Sequence, residues 1–431
     1  MKNLRLLQLA AISLFAALVI SCSEHSGSTH KNKHTVLKFT RHKLIDKQGT
    51  GYVAATYLVP EGWKVQDKIE WNINSVAQPA TITLLIYDEE TNSSMQGFPN
   101  KVFLVNTDKE MNEEYPAGSN YLGAEVINQK PGVLDLIKNY ILPEFENNEG
   151  FKIIESKNLS LAKSNHKRAV EFKNTDSKSG RVKIEYTENG KVFEESIYAT
   201  ITFVPVSKYQ QYAYLSMCYG CKAIKGDLEN TMDIFETILN SVKLNPKWAV
   251  TYNQVMQMAM RDAMESRGYS GDNNNYYNGY WENDEGSNYN NSSDGNYEGG
   301  TTGGNYDGTN YSTGNTGSLS NYLQQANGYV NDAMIQNYEN QQRSNDRMSE
   351  ARSDYMLDYQ NYTDPNTGEV LKLSSGYSNA WTDNSGNVIM SNEAGYDPNV
   401  GGGSSSWSSL DVGGSTVAAP EAPVATTPDP D

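Results

Sequence analysis

Cysteine is scarce in this chain: only Cys22, Cys218 and Cys221 occur in 431 residues. That number excludes a fold stapled by several disulfides. Histidine is nearly as rare, with His25, His30, His34, His42 and His166 making the full set. All lie at or before position 166, so a Ser-His-Asp relay has few bases to draw on. No Gly-x-Ser-x-Gly elbow, His-Glu-x-x-His pair, phosphate-binding loop or Gly-x-Gly-x-x-Gly turn is present. Positive charge is lacking in the second half, where residues 251–431 hold six Lys and Arg against 24 Asp and Glu. Nucleic-acid binding wants a basic surface, so that partner class is excluded. Long apolar runs are lacking too, with one exception near the start. Leu6–Ile20 is an apolar run broken only by Gln8 and Ser13, and no later stretch approaches the roughly 20 residues of a spanning helix.

That exception follows Lys2 and Arg5 and ends at Ser21-Cys22. A short basic start, an apolar core and a small residue before a cut site make a secretory signal. Val19 and Ser21 before Cys22 resemble the lipobox of bacterial lipoproteins. The resemblance implies a lipid on the Cys22 sulfur, palmitate among its acyl chains, and a mature chain beginning at Cys22. Several acyl chains hold a protein on a membrane where one would let it go. Residues 1–21 are thus the expected signal peptide and 22–34 a polar tether. The expected site is the bacterial cell envelope, on the outer membrane, with the face left open. The tether histidines could ligate metal, but nothing around them would support the geometry, and a plain linker is expected.

Residues 35–248 are expected to form an α+β domain. Thr35–Phe39, Tyr52–Leu58, Thr81–Tyr87 and Lys101–Asn106 are short β-branched or aromatic runs between polar breaks. Val133, Leu134, Ile137, Tyr140 and Ile141 follow Pro131-Gly132 with a helical period. Phe151–Leu161 and Arg168–Phe172 return to strand character. Asn189-Gly190 lies between two alternating runs, the strongest short hairpin signal. Asp227 is placed to cap a helix whose apolar face is Leu228, Met232, Phe235, Ile238, Leu239 and Val242. Many strands and two helices without β–α alternation predict a largely antiparallel sheet with packing helices. Pro60-Glu61-Gly62-Trp63, the midway helix and the closing Ile238-Leu239-Asn240-Ser241-Val242 resemble the PsbP-like fold family. The resemblance covers about half the chain. It implies a sheet sandwiched by helices and a binding or assembly role without chemistry.

Beyond this domain, residues 249–270 read as a helix with a methionine-rich face. Residues 271–318 turn to Asn, Gly, Tyr, Ser and Asp with no Lys or Arg, which predicts a disordered insertion. A helix is expected over 319–362, able to pair with the helix before the insertion. Residues 363–400 predict a small β module whose aromatics, Tyr377, Trp381 and Tyr396, serve as its core or line a ligand groove. Residues 401–431 predict a disordered tail.

Chemistry has one foothold, Cys218-x-x-Cys221. It lacks a helix start at its first cysteine, which a redox pair needs. A local disulfide tightening a turn is expected, with free thiols, half a metal site or thiol exchange as alternatives. Glu194-Glu195 is an acidic pair, but neighbours on a strand point to opposite faces. No catalytic residue, metal or cofactor is assigned. The expected function is a lipid-anchored, non-catalytic binding or assembly module with an envelope protein or glycan partner. The alternatives are an adhesive surface protein acting through the Tyr/Asn/Gly tract, and an envelope thiol oxidoreductase.

Overall fold

A computed structural model describes residues 36–159, 176–205, 207–266, 318–340, 359–400 and 406–412. The signal segment, Cys22, the tether with its histidines, His166 and the Tyr-rich tract as far as residue 317 lie outside them. Sheet predominates, pairing is mostly antiparallel, and a few helices pack against it, an α+β architecture.

The larger sheet runs β3 (Lys64–Trp71), β4 (Ala80–Tyr87), β5 (Ser94–Gly97), β12 (Gln210–Ile224), β11 (Lys191–Pro205), β10 (Asp176–Glu188) and β9 (Glu149–Leu159). A branch of β6 (Lys101–Asn106), β7 (Asn120–Tyr121) and β8 (Ala124–Ile127) joins it on β12, and β6 pairs with β8 in parallel. β10 and β11 meet at Glu188↔Lys191, with Asn189 at φ 51° and Gly190 at φ 75°. Two successive positive φ angles make the tight turn that the Asn-Gly pair predicts.

Alternation along β10 and β11 gives this sheet two apolar faces. Val182, Ile184, Ile197 and Phe203 meet Val133, Ile137 and Phe145 on one of them. The helix predicted there is irregular. It opens as α2 (Val133–Leu136), widens to a π-turn over Ile137–Ile141 and closes as a 3₁₀ turn over Leu142–Glu144. On the other face α3 (Leu228–Asn240) and α4 (Pro246–Glu265) share one core with Ile69, Ile86, Tyr198 and Cys221. Asp227 stands at the start of α3 as expected, but its side chain makes no cap hydrogen bond there. The short α1 (Lys109–Glu114) is capped instead by Asp108, which accepts from the N–H groups of Glu110 and Met111.

A second sheet is ordered β13 (Lys243–Leu244), β2 (Val53–Pro60), β1 (Val36–Ile45), β17 (Val388–Ser391), β16 (Asn379–Asp383) and β18 (Trp407–Ser409). The small β module expected over 363–400 therefore shares a sheet with β1 and β2. Phe39 pairs with Val388, and Leu37 with Met390, on the free side of β1. Arg41 fixes the junction: its backbone N–H donates to Asn387 Oδ1 at 2.9 Å and its Nη1 to Glu369 at 3.0 Å. Lys243, from β13, holds the same Glu369 carboxylate. Boundaries move accordingly. α4 begins at Pro246 behind an Asn245 cap, so the expected division at 248 falls inside a helix whose Trp248 is fully buried. The helix expected over 319–362 breaks at Val330 after α5 (Leu319–Tyr329), and residues 332–340 are helical again. Its last expected residues belong to β14 (Tyr359–Thr363), in a three-stranded sheet with β15 (Val370–Ser374) and β19 (Asp411–Val412). Residues 406–412, expected in the tail, thus add strands to both smaller sheets. The expected pairing of helices around the insertion holds, for Tyr322 on α5 donates to Asp262 on α4 at 2.8 Å.

Candidate functional site

Trp381 lies between Ala380 and Thr382, which are 2% and 1% exposed and face the core side of β16. Period-2 alternation sends the Trp381 ring to the opposite face. Trp381 pairs with Ser409 and Asp383 with Trp407, so the two indoles are diagonal neighbours on that outer face. Tyr396 sets its ring edgewise to Trp381 at 5.5 Å and 66°. All three rings are half-buried, and none belongs to the described core clusters. Across β17 from Trp381 lies Ile389, and beyond it Lys38 on β1. The module's core is made by other residues, among them Tyr362, Leu371, Leu373, Tyr377, Val388 and Leu410. Of the three aromatics considered for that core, only Tyr377 enters it.

Local hydrogen bonds position these rings. Asn399 clamps the backbone of Trp407 from both sides, accepting from its N–H at 2.9 Å and donating to its carbonyl at 3.0 Å. The Asn399 N–H is in turn held by Asp397 at 2.9 Å. Asp383 accepts from the N–H groups of Ser385 and Asn387, shaping the β16–β17 turn beside Trp381. The result is a pre-formed aromatic surface with an amide and hydroxyl border.

Elsewhere the groups suited to chemistry are dispersed. Neither Cys218 nor Cys221 is in a disulfide, and the turn expected to hold one is absent because both residues lie within β12. Met217 takes φ 53° at a bulge, after which Cys218 faces the core beneath α2 and Cys221 the core beneath α3. Side chains on opposite sides of a sheet cannot reach disulfide geometry. Burial pushes the Cys218 thiol up to about 12, which makes it a poor nucleophile.

Glu194 and Glu195 separate as strand alternation requires. Glu194 meets Lys183 at 3.0 Å on one face. Glu195, on the other, is buried and accepts the Tyr186 hydroxyl at 2.8 Å. Burial pushes its carboxyl up to about 7, against the Tyr186 hydrogen bond and the charge of Lys222. A Cβ at Gly220 would run into this carboxylate. The sequence carries a signal for it, since Glu195 lies in register with Phe193, Ile197, Ala199 and Ile201 on the apolar side of β11.

His42 belongs to β1. Its Nε2 lies 2.9 Å from Asp67 Oδ2, which also accepts the Tyr57 hydroxyl at 2.6 Å. Asp46, fully buried, accepts from both Trp71 and Trp248 indole N–H groups at 2.9–3.1 Å and joins three elements. Its remaining bonds come from Gly49 and Thr50, so its role is structural. Among the described residues no cluster of three metal-ligating side chains stands together, and no helix is long and apolar enough to cross a membrane.

No family model and no curated protein matches this chain. Among solved structures it is similar to one described as LpqN involved in cell envelope biogenesis of Mycobacterium tuberculosis. The likeness covers 48% of this chain and 91% of that one, at 12% identity and a TM-score of 0.21. Similarity at that level carries no functional information.

Proposed function

We propose that this protein is a lipid-anchored envelope protein and a non-catalytic binding module, working through the outer face of β16 and β18. The observation that carries the reading is the trio Trp381, Tyr396 and Trp407, three large rings held half-exposed outside the core. Trp248 and Tyr362, by contrast, are fully buried, and the half-buried Trp63 and Tyr52 pack against the core. Aromatic side chains at a surface offer large contact area at small entropic cost. The anchor rests on Val19, Ser21 and Cys22. The PsbP-like likeness of Pro60–Trp63 and of the closing α3 string points the same way, toward binding without chemistry.

In-cell photo-cross-linking tests this on the full lipidated chain. A cross-linking residue at exposed Asn379 or Ser409, which border the rings, is expected to yield one discrete adduct. The same residue at Lys47, away from the face, is expected to yield none. Equal labelling from both positions, or none from either, overturns the reading. Cys22→Ala is expected to release the chain from the membrane fraction.

A further inference from the structure

We infer that the Trp381–Tyr396–Trp407 face takes a neutral polysaccharide chain, a run of pyranose rings lying on the outer face of β16 and β18. The inference rests on the binding-module reading above and names its ligand class.

Shape comes first. The open part of the face lies on β16 and β18, where Asn379 and Ser409 are exposed beside the half-buried Trp381 and Trp407, while Ile389 on β17 is buried under it. An edge-on surface without a concavity suits an extended polymer, whereas a small free ligand wants a pocket.

Ring chemistry comes next. A pyranose has an apolar C–H face and a border of hydroxyls. Indole and phenol rings present an apolar body with a polar edge, which matches both features. Trp381 and Trp407 are diagonal neighbours, about 7–8 Å apart at the backbone, which is within reach of contiguous sugar rings. Around them the border is amide, hydroxyl and turn backbone, from Asn379, Ser409 and the Asp383–Asn387 turn.

Charge then narrows the class. Asp383, in register with Trp407, and Asp397, which holds Asn399, put two carboxylates beside the rings. Lys372 is the one Lys or Arg in residues 359–412. An acidic surround repels polyanions, which removes acidic polysaccharides and nucleic acids. Neutral glycan is the class that this charge and these rings share. Pre-organisation favours it further, because the two-sided Asn399 clamp on Trp407 fixes a ring before any ligand arrives.

The test is titration of the full mature chain with a soluble neutral β-glucan and with a chitooligosaccharide, followed by calorimetry and tryptophan fluorescence. Saturable binding to at least one is expected, with at least tenfold loss in Trp381→Ala and in Trp407→Ala. Trp381→Phe keeps a ring and is expected to lose less, which separates stacking from misfolding. Thermal melts should be little changed, since neither indole is part of the core. A polygalacturonate control should not bind. Absence of binding to both neutral glycans overturns the proposal, as does equal binding by the alanine variants. Binding of a proline-rich peptide in place of either glycan also overturns it. A discrete cross-link adduct in cells alongside failed glycan titration would remove the glycan alone and leave the binding-module reading standing.

Discussion

Glu195 is buried on the apolar side of β11 with the Tyr186 hydroxyl on one oxygen and the Gly220 backbone where the other needs room. The protonated form suits that place, and burial raises its pKa to about 7 from the ordinary 4.5. Between those values the folded chain holds a proton that the unfolded chain has released. Folding stability is therefore expected to fall as pH climbs from about 4.5 to 7, by about 3 kcal/mol, and to level off above. Glu195→Gln keeps an acceptor for Tyr186 and removes the charge. Urea unfolding across pH 5–8 is expected to show a weaker slope in this variant and a gain in stability at pH 8. An unchanged slope would mean that the carboxyl is solvated in the folded state. The residue pattern around Glu195 is legible in sequence, since alternation alone separates it from Glu194. What the acid meets is not, because Tyr186 reaches it across a hairpin and Gly220 from β12.

Elements follow the same division between local and distant information. The β10–β11 hairpin is readable because Asn189-Gly190 closes it within four residues. β3 is harder, since Asp67 stands where the inward alternation of Val65, Ile69 and Trp71 calls for an apolar residue. The bulge at Met217 has no turn residue to announce it, and it decides which core each cysteine enters. Trp381 shows the limit of period-2 reasoning: alternation says that it opposes Ala380, but only the pairing of β16 with β17 and β18 says which side is core. The join between the C-terminal strands and β1 depends on Glu369. Burial raises its pKa, yet Lys243 and Arg41 outweigh that and hold it below the usual carboxylate range. Glu369→Ala leaves two cations without their shared partner, one of them only 17% exposed. A loss of about 1–3 kcal/mol is expected, read as a lower urea midpoint with m unchanged. Because the depressed pKa makes this contribution present above the unfolded value and lost on acidification, the gap between wild type and variant should close as pH falls below about 4.

At the scale of the whole molecule, the decisive pairing is β1 with β17, residues more than 340 positions apart. Leu37, Phe39, Val388 and Met390 are all buried at that join, together with Tyr362, Leu371 and Leu410. Sequence reading separates the chain into an α+β domain and a small β module because composition changes between them, and composition is blind to who pairs with whom. The structure gives the two regions a common core instead. A chain stopped after residue 358 would uncover the apolar side of β1 and leave its backbone donors and acceptors unpaired, an edge prone to association. The truncated chain is expected to melt lower and to self-associate on size-exclusion chromatography. The 359–412 piece, too small for a core of its own, is expected to show no cooperative transition. Mixing the two pieces should then restore a single melt, since every contact across the join is non-covalent. Full stability in the truncated chain alone would mean that β17 is an ornament on β1. Restored stability on mixing would show that the aromatic face is carried by the strand that completes the fold, which is how a binding surface made of half-exposed rings is kept rigid.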